Sequence, residues 1–169
     1  ETLQKLEVLT FPGSKIPTFL THQESFCEIS KPSDTNLKFR GVMLCFVYAV
    51  EEEVMIELQD LPSLPDIQIK LMVNNKQVFG TTPKIPGIPK VHEDQVYFCH
   101  FKENGRELYF LRDGGRIEVV KMSAPMIRGV QLKKVGFRVL HKARDTTQAG
   151  EASENESIFQ SLAESFSCY

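Results

Sequence analysis

Residues 39–50, FRGVMLCFVYAV, are the most hydrophobic run in the chain and set the tightest limit on its fold. Their apolar positions do not recur at the 3.6-residue spacing of a helix. Val, Phe and Tyr are residues that suit a pleated surface. The run therefore predicts a strand buried on both faces. Gly41, near its start, predicts a close approach by a neighbouring backbone or a bulge. The longest uninterrupted apolar stretch, residues 42–50, is of strand length, well short of the roughly 20 residues of a membrane helix.

The remaining chain alternates and is punctuated by turn residues. Residues 5–10 (KLEVLT) predict a short first strand. Residues 26–30 predict another, with Phe26, Glu28 and Ser30 on one face and Cys27 and Ile29 on the other. Lys31-Pro32-Ser33-Asp34 is a turn cluster. Residues 54–58 alternate before the break at residues 61–65. Ile67, Ile69, Leu71 and Val73 form a period-2 face opposite Gln68 and Lys70. Asn74-Asn75 predicts a tight hairpin turn, because Asn tolerates positive φ, and residues 77–81 would be its returning strand. Residues 93–121 read as a meander: a strand at 96–101, a turn at Asn104-Gly105, a strand at 107–111, a turn at 113–115 and a strand at 116–121. Residues 131–141 give the last strand. These features predict an all-β, two-sheet antiparallel sandwich of roughly nine strands over residues 1–142. Residues 143–169 have another composition. Residues 145–157 are polar and acidic, which predicts a flexible tail. Ile158, Leu162 and Phe166 recur at helical spacing, which predicts a short amphipathic helix over 157–165.

Size and charge exclude several function classes. A chain of 169 residues forms one domain, or one domain with a tail, and buries roughly 70% of its unfolded surface. A formal net charge of −2 lacks the basic excess of a nucleic-acid module. No basic-then-apolar leader opens the sequence, which fits an intracellular chain or an excised fragment. Cys27, Cys45, Cys99 and Cys168 form no C-x-x-C pair, and Cys45 and Cys99 read as reduced, buried apolar residues. Asn155 begins a glycosylation sequon that matters only in a secreted protein.

Chemistry-bearing patterns are sparse. Gly13-Ser14 lacks a nucleophile elbow. Cys99 and His100 are adjacent in a strand, so they point to opposite faces and cannot both ligate one ion. Asp113-Gly114-Gly115 lies between strands, not before a helix as a phosphate loop would. No metal or cofactor is expected, and no enzyme. A carbohydrate-binding sandwich is the alternative class, but the chain has no Trp to serve as a sugar platform, and Tyr48, Tyr97 and Tyr109 lie in predicted strands.

Residues 11–23, FPGSKIPTFLTHQ, are the second constraint. Pro12 and Pro17 exclude a central strand or a helix there. Phe11, Ile16, Phe19 and Leu20 would each forfeit roughly 1.5–3 kcal/mol if left wet. The segment thus predicts a rigid corner packed on the sheet, and Phe19→Ala should cost roughly 3–5 kcal/mol if that ring is buried.

Four segments resemble the C-terminal, post-repeat domain of plant immune receptors that carry Toll/interleukin-1-receptor, nucleotide-binding and leucine-rich-repeat regions. Phe11 to Ile16 and Pro17 resemble its opening motif, with Phe19 where the family usually has Trp and Leu20 where it has Phe. Phe39, Gly41, Val42, Cys45 and Val47 resemble its second motif. Asp94, Val96, Tyr97 and Phe98 resemble the third, with Gln95 in place of His and Tyr97 in place of Trp. Lys134, Gly136, Arg138 and Leu140, with Val135 at a Cys position, resemble the closing motif. The resemblance spans Leu9 to about Lys142. It implies a jelly-roll or immunoglobulin-like sandwich that binds a pathogen effector protein, caps the leucine-rich repeats of the same receptor, or does both. It also implies a cytoplasmic or nuclear receptor that oligomerises on activation; charge and the short apolar runs separately lead us to expect no nucleic-acid or membrane partner. Shared motifs lie in strands and corners, so contact residues are expected on loops. The expected contacts are Glu51, Glu52 and Glu53 in an acidic turn, Lys84, Ile85, Ile88 and Lys90 in a loop bearing Pro83, Pro86 and Pro89, and Asn104 and Arg106 at a hairpin tip.

Overall fold

A computed structural model describes residues 7–29, 37–50, 64, 66–85, 90, 92–102, 111, 114–122 and 130–143. Among them are eight strands and no helix. The strands are β1 (Glu7–Pro12), β2 (Phe26–Ile29), β3 (Leu37–Val50), β4 (Ile67–Val73), β5 (Lys76–Thr81), β6 (Gln95–Lys102), β7 (Gly115–Lys121) and β8 (Val130–Ala143). They form two antiparallel four-stranded sheets. Sheet A has the order β1-β6-β3-β8 and sheet B the order β2-β7-β4-β5. Their inner faces contribute to one hydrophobic cluster, so the fold is a β-sandwich. The predicted strand at 54–58, the predicted strand at 107–111 apart from Leu111, which is a buried turn residue, and the tail from residue 144 lie outside the described residues.

β3 is the centre of sheet A, paired with β6 on one side and β8 on the other. Residues 41–50 are all buried. Val42, Leu44, Phe46, Tyr48 and Val50 face sheet B, where they meet Ile67, Ile69, Leu71, Ile117 and Val119. Met43, Cys45 and Val47 face outward, yet they are covered by Leu20 with Phe11, Ile16 and Phe19 beside it. The corner is therefore what buries the second face of the strand.

Two irregularities keep β3 and β8 in phase with the core. Register shifts between Phe39 and Gly41, leaving Arg40 without a β8 partner, and again between Val47 and Tyr48, leaving Lys133 without a β3 partner. Each shift restores an inward face that strict alternation would lose. Gly41 has φ +147°, and a Cβ there would overlap the Phe101 carbonyl oxygen. Both expectations for this glycine, a bulge and a close backbone approach, are met.

Asn74 and Asn75 have φ of 50° and 60°, the pair of positive values a two-residue type I′ hairpin requires. They join β4 to β5, whose strands pair directly. The meander predicted for residues 93–121 is not observed. β6 lies in sheet A between β1 and β3, whereas β7 lies in sheet B between β2 and β4. Both edges of each strand are already taken, so the two cannot share a meander. Pairing partners are chosen by burial of the inner faces, which turn residues do not encode.

Candidate functional site

The strand directions sort the loops into two ends. Val50 pairs with Val130 and Tyr48 with Gln95, which puts the end of β3 beside the starts of β6 and β8. Pro12 also pairs with Gln95, so the corner leaves from this end. In sheet B, Lys121 pairs with Ile67, and β5 runs back to Thr81. The end of β3, the starts of β4, β6 and β8 and the ends of β5 and β7 therefore lie together at one end, with the corner. The ends of β2 and β6 and the starts of β3 and β7 lie at the other, with the Asn74-Asn75 turn.

Glu51, Glu52, Glu53, Ile88, Asn104 and Arg106 lie outside the described residues. Lys84 and Lys90 are exposed, as a contact role requires. Ile85 is 2% exposed and belongs to the core, with Leu64, Val50 and Val130 in the same cluster. Its side chain anchors the proline segment instead of meeting a partner. Leu64 N–H donates to the Pro83 carbonyl at 2.9 Å, which ties the same segment to the chain ahead of β4.

The corner is pinned at the same end. Gly13 N–H donates to the Asp94 carbonyl at 2.9 Å. Lys133 ion-pairs with Asp94 at 2.5 Å, and Lys134 Nζ donates to the Ser14 carbonyl at 3.1 Å. The β8 irregularity thus lets two successive lysines reach the same end of the sandwich. His92 adopts φ 63° and donates its N–H to the Val50 carbonyl at 2.8 Å. A left-handed non-glycine residue in an ordered connection is uncommon, and here it fixes the approach to β6. At the far side of the corner, His22 exchanges backbone hydrogen bonds with Phe137 at 2.8 and 3.2 Å. Its Nε2 donates to the Phe26 carbonyl at 2.9 Å. A cleft of about 660 Å³ follows, between the edge strands β2 and β8, lined by Phe19, His22, Phe26, Glu28, Phe137 and Val139. This cleft was not apparent in the sequence, because its walls come from strands in different sheets.

The described thiols, histidines and tyrosines sit as follows. Cys99 belongs to the inner cluster, whereas His100, next along the strand, faces outward in register with Met43. Among the described residues no group of three His, Cys, Asp or Glu could hold a metal ion. Cys27, Cys45 and Cys99 are free and buried. Burial pushes the Cys45 thiol up to about 12 and the Cys99 thiol well above its ordinary range. For Cys27, burial and the neighbouring Glu28 act in the same direction. These thiols are protonated at neutral pH and poor nucleophiles. Tyr48 and Tyr97 are buried, with Phe46 stacked on Tyr97 at 4.7 Å, so neither ring is a sugar platform. No protein-family model, curated protein or solved structure matches the chain.

Proposed function

We propose that this chain is the post-repeat domain of a plant intracellular immune receptor, a non-catalytic recognition module with a jelly-roll or immunoglobulin-like sandwich. In this reading it binds a pathogen effector protein, caps the leucine-rich repeats of its own receptor, or both. The receptor would be cytoplasmic or nuclear. Effector binding favours the assembled state of the receptor over the resting one, which is the differential affinity that any ligand-driven switch needs.

The observation that supports this reading is the convergence of the four family-like segments. They are dispersed over residues 9–142 yet meet on the outer face of sheet A. Leu20 of the first packs on Cys45 and Val47 of the second and on Val96 and Phe98 of the third. Ile16 and Leu20 occupy the space where a Cβ on Gly136 of the fourth would lie, only 2.6 Å from Ile16 Cγ2. Asp94 opens the third segment and bonds Gly13 of the first. Residues that share one packing unit explain why such motifs would travel together.

We assign recognition to the end where β3 and β5 stop, beside the exposed Lys84 and Lys90. The test is capture of candidate effectors, and separately of the receptor's own repeats, by the chain with Lys84→Glu and Lys90→Glu. Loss of capture with unchanged thermal melting is expected. Undiminished capture of a bound partner removes this end from the interface. A glycan array on the same preparation separates the alternative class: specific sugar binding without any protein partner would overturn the receptor reading.

A further inference from the structure

We propose that the open edge of β8, where it borders the cleft beside β2, takes one further strand from a partner protein. The strand it fits is an extended segment, acidic toward the outer face of sheet A and apolar toward the core. This does not rest on the receptor reading, since any protein that presents such a segment fits.

β8 is an edge of sheet A and pairs with β3 on one side only. Its other side has already begun to take a strand. His22 N–H donates to the Phe137 carbonyl at 3.2 Å, and Phe137 N–H donates to the His22 carbonyl at 2.8 Å. These are the paired bonds of an antiparallel ladder, but the bridge is isolated. The corner turns away beyond it: Leu20 N–H closes on the Pro17 carbonyl, and the Leu20 side chain packs on the outer face of sheet A. Backbone groups alternate between the two sides of a strand. Val139 and His141 therefore present N–H and C=O on the same side as Phe137. Among the described residues no strand pairs with them there. Addition of a strand to such an edge is an established mode of peptide recognition.

The cleft of about 660 Å³ opens at this edge, with Phe137, Arg138 and Val139 on one wall and Phe26, Cys27 and Glu28 on the other. Phe137, Val139 and Cys27 belong to the inner cluster, so the mouth of the cleft is apolar. Phe26, 37% exposed, stands at its rim. A strand laid about 4.8 Å from β8 would turn every second side chain into this mouth and the others outward beside Arg138.

Charge decides the class of strand. β8 carries Lys133, Lys134, Arg138 and Lys142 and no Asp or Glu. Lys133 pairs with Asp94, and Lys134 donates to the Ser14 carbonyl. Arg138 is exposed opposite Met43, and among the described residues no carboxylate pairs with it. Like charges across a ladder repel, so a second copy of β8 is rejected, as is any basic strand. An acidic strand is accepted. Glu28 lies across the cleft on the outer face of sheet B, opposite Arg116, so the occupant is acidic on its Arg138 side alone. The other edges are less suited. β5 is irregular at Val78, which has no β4 partner. β2 is four residues long, and its Phe26 carbonyl is taken by His22 Nε2. β1 carries Glu7 and no Lys or Arg.

The test is amide hydrogen exchange of the full chain, read by NMR, with two end-capped octapeptides: one alternates Val and Glu, the other Val and Lys. With the Glu peptide at about four times its Kd, exchange at Val139 and His141 should slow about fivefold. The Lys peptide should leave both amides unchanged. Arg138→Glu should keep the melting curve and reverse the preference. Should it lower the melting point, Arg138→Gln answers the same question, and the Glu peptide should then lose most of its advantage. Methylating the peptide nitrogens that face β8 should remove the effect. The proposal is overturned if neither peptide slows these amides at about 5 mM, where even millimolar affinity would register. It is also overturned if both peptides slow them equally, if the slowed amides lie in β1, β2 or β5, or if the Arg138 changes leave the preference as it was.

Discussion

Replacing Leu20 by alanine should unfold the corner's hold on sheet A more than any other single change within residues 11–23. Leu20 is 0% exposed and lies against Met43, Cys45, Val47, Val96 and Phe98. Leu→Ala deletes three carbons, and at about 0.8 kcal/mol per buried group the transfer loss is about 2.4 kcal/mol. The hole left behind raises such losses to as much as about 5 kcal/mol where the site cannot collapse. Here one wall is a loop segment, held by the Leu20 N–H to Pro17 carbonyl bond at 3.0 Å and by His22 on Phe137, so partial collapse is open to it. The expected loss is therefore about 3 kcal/mol. In urea, with a slope of about 2 kcal/mol/M, the unfolding midpoint should drop by about 1.5 M. Phe19 is only partly buried, so Phe19→Ala should cost less, about 1–2 kcal/mol, in place of the larger value its sequence position suggested. A Leu20→Ala loss below about 1 kcal/mol at unchanged slope would refute the packing of this corner on sheet A. So would a Phe19→Ala loss larger than that of Leu20→Ala.

Gly41→Ala should destabilise by about 2–3 kcal/mol, since the new methyl meets the Phe101 carbonyl and φ is +147°; a thermal melt unchanged from that of the parent would refute it. Asn75→Gly should be neutral or slightly stabilising, while Asn75→Val should cost about 1–2 kcal/mol, because φ 60° suits glycine and not a branched side chain. Stability should fall in alkali. Cys45 rises from an ordinary 9.0 to about 12 and Tyr48 from 10.0 to about 12 on folding, so the native state holds protons that the unfolded chain releases. The contribution of each group is complete below its ordinary value and is lost as pH climbs to about 12. Urea midpoints measured from pH 8 to 11 should decline above about pH 9, and a flat profile would contradict the burial of these groups.

Much of the fold was legible because each strand reports its own environment. Ile67, Ile69 and Leu71 alternate with polar residues and form the inner face of sheet B, and Phe26 to Ile29 show the predicted exposed–buried alternation. Asn74-Asn75 specifies its turn through backbone preference alone. Pairing was not legible in the same way. Val96 and Arg116 lie within one apparent meander, yet their strands belong to different sheets. Strand order depends on which inner faces can be covered together, and no local pattern encodes that. The candidate site follows the same division. Lys84 and Lys90 are exposed as their polarity suggests, but Ile85 turns inward because the core end between Leu64 and Val130 needs closing.

By itself the sequence determined that residues 39–50 form a strand, buried on both faces from Gly41 on, that prolines make a corner, which begins at Gly13 because Phe11 and Pro12 still pair in β1, and that acidic charge collects beyond residue 144. These are local consequences of side-chain volume, of a fixed φ and of composition. Only the tertiary structure decided that the corner is the lid of that strand. It also brought Gly136 beneath Ile16. Contacts over 120 residues, such as Lys134 on Ser14, arise when chain segments are chosen for the surface they cover, and that choice is made by the whole core at once.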